Sequence, residues 1–315
     1  MQSATKPGWA PQTFKDWIYG FFGNTMGSEY LEPYNRKIWK TDPSQMDASW
    51  VFSPGRLPFP ALRDIISSIA GIKSIGYKEQ QYFYYPKSGG IQALYNALLS
   101  KLSELKVEFL PSFTVTKISQ VLDGWMINEQ LATKKIINTL PLTQLPRIFE
   151  MPSYLHQLAS GLNYTKDIVV GVALNRPAPK EQVLYVPSED IRFHRLTWLS
   201  NLSGTTKEHL SNLIAETTIS KDSSPSLSEI VRDTIDGLIK MRIIDSTESI
   251  LFTRTWVNEF GYPIYDTHHI AIREQIFKYL DELGIFSVGR WGSWHYWNTD
   301  KVYEAVLNLV QKISL

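Results

Sequence analysis

The stretch Phe113-Thr-Val-Thr-Lys-Ile-Ser-Gln-Val-Leu-Asp-Gly-Trp-Met-Ile127 marks a change of period in the chain. Before it, the Gly89-Gly90 pair leads into a helical pattern through Leu94, Leu98 and Leu102. Within it, Phe113 to Ser119 and Gly124 to Ile127 read as strands, and Asp123-Gly124 is a hairpin-type turn signal. Val107 to Phe109 and Lys134 to Asn138 extend the strand reading on either side. Downstream, residues 167–175, 182–186, 193–199 and 213–219 and Ile250 to Val257 read as further strands. Helices return at 227–240 and 271–283, and a last one starts near Thr299. Upstream, Thr13 caps a predicted helix through Phe14, Trp17, Ile18 and Phe21, which Gly20, Gly23 and Gly27 are expected to break. Ser28 starts a short helix expected to stop before Pro33, and Pro60 starts another through Leu62, Ile65, Ile66 and Ile69. Helices, antiparallel-type strands, then helix, strand and helix do not give regular βαβ alternation. The fold class is α+β, with pieces of a larger α/β domain interleaved.

A length of 315 residues gives room for about two domains. The 43% hydrophobic and 20% charged composition is that of a globular chain, which excludes wholesale disorder. A net charge of +1 gives no electrostatic case for nucleic acid or an acidic membrane. With no cysteine, disulfides, thiolate chemistry and Cys-ligated metals are excluded. No apolar run reaches the ~18 residues of a membrane span. Met1 to Pro11 is too polar for a signal peptide, so a cytoplasmic location is expected. His268-His269 has no carboxylates at metal-ligand spacing, and no metal site is expected.

Four segments concentrate aromatic, polar and Gly/Pro residues beyond what packing asks for. They are Glu32-Pro-Tyr-Asn-Arg-Lys-Ile-Trp39 with Trp50 and Pro54-Gly-Arg56; Phe83-Tyr-Tyr-Pro-Lys-Ser-Gly-Gly90; Leu184-Tyr-Val-Pro187 with Phe193-His-Arg195; and Phe260-Gly-Tyr-Pro263 with Gly289-Arg-Trp-Gly-Ser-Trp-His-Tyr-Trp-Asn-Thr-Asp300. Tyrosine hydroxyls and Asn amides hydrogen-bond sugar hydroxyls, aromatic faces stack on rings, and Arg forks take phosphate in bidentate fashion. A helix N-terminus behind Gly-Gly offers free N–H groups to an anion. Each alone is commonplace; together they suit a sugar–nucleotide or flavin site.

At these segments the chain resembles the UDP-galactopyranose mutase family, its eukaryotic-type branch in particular, within the amine-oxidase-like flavoproteins. The resemblance is collinear from about Phe14 to Val306 and rests most on Gly289 to Tyr296 with Asn298 and Asp300. It implies a helical substrate-domain segment over 1–80 and a partial FAD-domain segment over 81–145. An antiparallel sheet substrate domain over 146–284 and a C-terminal FAD-domain segment over 285–315 would follow. It also implies reduced FAD as cofactor, a UDP-sugar as substrate, and pyranose–furanose isomerisation through a flavin–sugar adduct. By resemblance Arg195 binds the pyrophosphate, and Arg56 is its partner on a loop hinged at Pro54-Gly55. Tyr185, Tyr262 and Tyr296 lie on the diphosphate and sugar, and Asn35 and Trp39 on the nucleotide–sugar side. Gly289, Arg290, Asn298 and Asp300 approach the flavin. No side chain is expected to be catalytic itself.

The sequence departs from that pattern at one end. It contains no Gly-x-Gly, the turn that holds a flavin's pyrophosphate. Val183 and Thr299 stand where the family commonly has Trp and Gln. The expectation is a chain that acts with a separate FAD-binding half, or as a homo-oligomer. An amine-oxidase or protoporphyrinogen-oxidase-like oxidoreductase, and a non-catalytic remnant or binding module, remain open readings.

Overall fold

Helix α1 (Phe14–Met26) begins with reciprocal caps: the Thr13 hydroxyl accepts from Asp16 N at 3.1 Å, and Thr13 N donates to Asp16 Oδ2 at 3.0 Å. The computed structural model describes residues 10–52, 63, 66–67, 70–72, 83–203 and 209–314. Of the expected glycine breaks, only Gly23 bends the helix, at φ 80°. The chain runs on through a wide turn, Gly27–Leu31, into α2 (Glu32–Trp39). Pro33 therefore does not end a helix. It sits in the first turn of α2, where its missing N–H has no intrahelical acceptor to lose. The helix expected from Pro60 falls largely outside the described residues, as do Pro54, Gly55 and Arg56.

After α3 (Gln92–Glu104), strands β1 (Ile118–Val121), β2 (Gly124–Ile127) and β3 (Leu131–Thr133) form an antiparallel meander. Val121 pairs with Gly124, so the turn is Leu122-Asp123 and the glycine is the first residue of β2. It is needed there: its φ is +127°, and a Cβ would come within 2.3 Å of Thr133 O. The strand pattern at Val107–Phe109 and Phe113–Lys117 overreached. In the second stretch the Asn128 side chain takes the place of a partner strand, accepting from Thr116 N and Lys117 N and donating to Thr114 O.

Strand β4 (Ile136–Asn138) lies parallel to β10 (Ile285–Ser287). Between them in sequence come α4 (Ser153–Gly161), β5 (Tyr164–Leu174), β6 (Val183–Tyr185), β7 (Arg195–Trp198), β8 (Ser211–Ser220), α5 (Leu227–Lys240), β9 (Ile250–Pro263) and α6 (His269–Glu282). The chain closes with the one-turn helix Gly289–Gly292 and α7 (Thr299–Ser314).

Strands β5 to β9 make one antiparallel sheet in the order β6-β7-β8-β5-β9. Alternation assigns its two faces. Ile168, Val170, Val172, Leu196, Leu213 and Ala215 point one way and pack with Ile230 and Leu238 of α5. The residues between them point the other way and carry the site. A second core joins Trp125, Phe149, Leu155, Ile276 and Trp294; a third, of Phe14, Trp17, Trp39, Trp50 and Tyr262, anchors α1 and α2 beside the site. The architecture is a mixture of helices and antiparallel sheets, α+β as the element order predicts.

Candidate functional site

Strand register assembles the site's floor. Tyr185 of β6 pairs with Arg195 of β7, Arg195 with Glu216 of β8, Glu216 with Val169 of β5, and Val169 with Trp256 of β9. Directly opposed residues share a face, so Tyr185, Arg195 and Glu216 stand in one row. Glu216 grips Arg195 in a fork: Oε1 accepts from a terminal guanidinium nitrogen at 2.7 Å and Oε2 from Nε. Burial works against the Arg195 charge, but these bonds and the neighbouring Tyr262 outweigh it, and the guanidinium is held more firmly protonated than usual.

Above this row the aromatic side chains converge. The Tyr262 ring centroid lies 5.2 Å from that of Tyr296 and 6.0 Å from that of Trp39, and Trp39 lies 5.6 Å from Tyr296. All three contacts are edge-on, the geometry ring quadrupoles favour. Burial, and then the neighbouring Tyr296, push the Tyr262 phenol far above its usual range, so it stands as a neutral donor. The Asn35 amide is used within α2, accepting from Trp39 Nε1 at 3.1 Å and donating to Leu31 O at 2.8 Å. Its role here is to fix the indole.

On the outer side Tyr185 is exposed, with Tyr34 edge-on to it at 5.9 Å and Tyr30 stacked on Tyr34 at 5.9 Å. Tyr185 also borders an open cleft of about 340 Å³ formed with Val186, Pro187, Ile191 and Met241. Lys37 ties this rim to α2, donating to Val186 O and Ser188 O at 2.8 Å each; burial and Lys40 bring its ammonium down to about 8.

The closing segment is held by a relay the sequence did not reveal. Arg273 of α6 donates to Ser293 O at 2.8 Å and to His295 Nε2 at 2.6 Å. A guanidinium has no acceptor, so His295 Nε2 carries no proton and Nδ1–H donates to Tyr265 Oη at 3.1 Å. The same Tyr265 oxygen accepts from Tyr296 N at 2.7 Å. Burial and the Arg273 charge lower the His295 imidazole to about 3, in keeping with a neutral ring. Arg290 donates twice to Trp297 O, at 2.9 and 2.7 Å, and its guanidinium lies 5.0 Å from the Tyr296 ring centroid. Asn298 and Asp300 are exposed at the start of α7.

Of the sequence candidates, Tyr185 and Arg195 are joined by strand pairing, and Tyr262, Tyr296, Trp39 and Arg290 by ring contacts, with Asn35 joining through Trp39. The two groups are neighbours through Arg195 and Tyr262. Arg56 lies outside the described residues. Glu216, Asp167, Tyr34, His194, Tyr265, Arg273 and His295 are additions from the structure. Glu216 and Asp167 had a signal: each is an acid inside an apolar strand, on the alternation that faces away from the core.

A flavin tests this arrangement at two ends. Gly292 packs so closely on β4 that a Cβ would lie 2.5 Å from Asn138 O, and the Asn138 side chain is tied to Leu140 and Ser287. This packing fixes the closing turn on β4 and sets Arg290 beside the place a flavin ring would take. At the pyrophosphate end the sequence has no Gly-x-Gly turn, and these residues fit only part of the cofactor.

No known protein-family profile matches the sequence. In fold the chain is similar to a reduced UDP-galactopyranose mutase, with TM-score 0.84 and 23% identity, over 93% of this chain and 64% of that one. It is also similar to a putative protoporphyrinogen oxidase from Exiguobacterium sp. 255-15, with TM-score 0.64 and 13% identity, over 91% of this chain and 64% of the other. A cyclohexylamine oxidase from Brevibacterium oxydans IH-35A gives TM-score 0.56 and 15% identity, over 88% of this chain and 62% of the other. The chain thus spans a little under two thirds of the length of each of these proteins. At these identities the likeness is one of fold.

Proposed function

We propose that this chain is the substrate-binding portion of a flavin-dependent, UDP-galactopyranose mutase-like enzyme of the eukaryotic-type branch, working with a separate chain that supplies the FAD-binding half. The observation that carries the reading is the half-buried, fork-held Arg195 beside the Tyr262–Tyr296–Trp39 cluster. Glu216 occupies one side of the guanidinium and fixes its plane, leaving its remaining N–H groups to meet a diphosphate. The phenols donate to phosphate or sugar oxygens, and Trp39 backs the cluster against water. Arg56 would add a second charge. Gly289, Arg290, Asn298 and Asp300 would lie toward the flavin, with the N-terminus of α7 favouring negative charge there. Reduced flavin, when bound, would supply the nucleophile for the sugar's anomeric carbon. The structural likeness to the mutase, greater than to the two oxidases, favours isomerisation over hydride transfer.

The test mixes this chain with a candidate FAD-binding half that carries Gly-x-Gly-x-x-Gly, adds reduced FAD, and follows UDP-galactose by chromatography. Interconversion of the two ring forms is expected. A yellow complex that oxidises an amine and leaves the nucleotide sugar untouched would transfer the reading to the oxidase class; a colourless mixture would leave a binding module.

A further inference from the structure

Asp167 is a group on the site face whose chemistry the reading above leaves unused. It is 7% exposed, and its Oδ1 has no hydrogen-bond partner. It pairs with Thr218 of β8, so Glu216, two residues back on the same strand and face, is its diagonal neighbour. On the other side it pairs with Asn258 of β9, whose nearby side chain favours the ionised carboxylate. Beyond Asn258 the register shifts, and the extra residues bring Gly261 against Asp167 so closely that a Cβ would lie 2.8 Å from the Asp167 Cβ. That bulge swings Tyr262 over the site while sealing Asp167 beneath it. The anion-binding guanidinium thus has two carboxylates behind it, and its fork is committed to only one of them.

Two ionised carboxylates and one guanidinium sum to a negative site, which would repel a diphosphate. With Asp167 protonated the same site is neutral and has donors to spare. Resting on the mutase-like reading of Arg195, we infer that Asp167 sets the charge tolerance of the site: its protonated form admits a diphosphate at Arg195, its ionised form opposes one, and binding takes up a proton there. Burial first, and then the Glu216 charge, push the Asp167 carboxyl up to about 7, against the pull of Arg195 and Asn258. Of the other groups near it, Tyr262 is raised, Arg195 is held charged, and burial lowers His194 to about 3. Lys37, brought down to about 8, is the neighbour that does titrate near this range, but its ammonium is turned to Val186 O and Ser188 O, and its contribution persists in Asp167→Asn and is read there. Lys166, next in the chain, alternates to the opposite face and pairs with Glu259 at 3.2 Å. His295 and His269, further out in the closing relay, are both lowered.

Calorimetry with UDP-galactose, whose diphosphate does not titrate near neutrality, reads the linkage. Affinity should be roughly tenfold lower at about pH 8 than at about pH 6, because only the protonated fraction is competent. Proton uptake should appear as a dependence of the heat on the buffer's ionisation enthalpy. Asp167→Asn, which mimics the protonated acid, should bind equally at both pH values and take up no proton. A second readout needs no ligand: difference infrared spectra of wild type against Asp167→Asn should contain a protonated-carboxyl band at about pH 6 that fades through about pH 7. Absence of that band, or binding that is flat with pH in the wild type, overturns the inference and leaves the reading of the site intact. A band with no UDP-galactose binding at any pH overturns the reading, and the linkage with it.

Discussion

Trp39 and Asp167 show how differently two buried residues support the same site. Trp39 is 3% exposed and meets Trp50, Tyr262 and Tyr296 edge-on, so it contributes packing to α2 and shape to the pocket at once. Trp39→Ala should cost about 3–5 kcal/mol in urea unfolding, as other large-to-small core changes do. Asp167 carries the opposite sign. Its folded pKa is raised, so its ionisation weighs against the fold as pH climbs from the unfolded value of about 4 through about 7. Asp167→Asn should therefore raise the melting temperature at about pH 8 and change it little at about pH 4. Equal shifts at both would mean that the carboxyl does not hold its proton in the folded state. The sequence displayed Trp39 and Arg195 because they sit in recognisable segments. It concealed Asp167 because an acid in an apolar strand acquires meaning only when register places Glu216 diagonally opposite it.

At the level of elements, the long strands β5, β8 and β9 and the helices α5, α6 and α7 were legible because each keeps its period. The failures share a cause. Phe113–Lys117 alternates like a strand, yet the Asn128 side chain satisfies its backbone, and no neighbouring strand is needed. Pro33 reads as a stop or a start by local rules alone, and the wide turn before it decides for a start. The closing turn depends on α6 through Arg273, a contact 20 residues away in sequence. Arg273→Met should lower stability by about 1–3 kcal/mol, since Ser293 O and His295 lose their charged donor. Hydrogen exchange should rise at 293–297 while α6 stays protected. Uniform loss of protection across the chain would place Arg273 in the general core instead.

The whole molecule leaves apolar surface uncovered among the described residues. Leu94 and Leu98 of α3, Ile137 of the two-stranded parallel sheet, and Leu307 and Val310 of α7 are all exposed. Parallel strands are ordinarily covered on both faces and seldom stand as a pair. That surface fits the proposal that a further βαβ segment completes the fold. Purified alone, the chain should associate with rising concentration in sedimentation velocity, and the FAD-binding half should replace this self-association with a one-to-one complex. A monomer that stays so at all concentrations and ignores the added half would argue for a free-standing binding module. The central claim, that Arg195 is the seat of a diphosphate, is tested most directly by UDP-galactose affinity in wild type and Arg195→Lys, with circular dichroism showing both folded. The lysine keeps the charge but loses the fork held by Glu216, so affinity should fall at least about tenfold. Equal affinity in the two proteins would contradict the account.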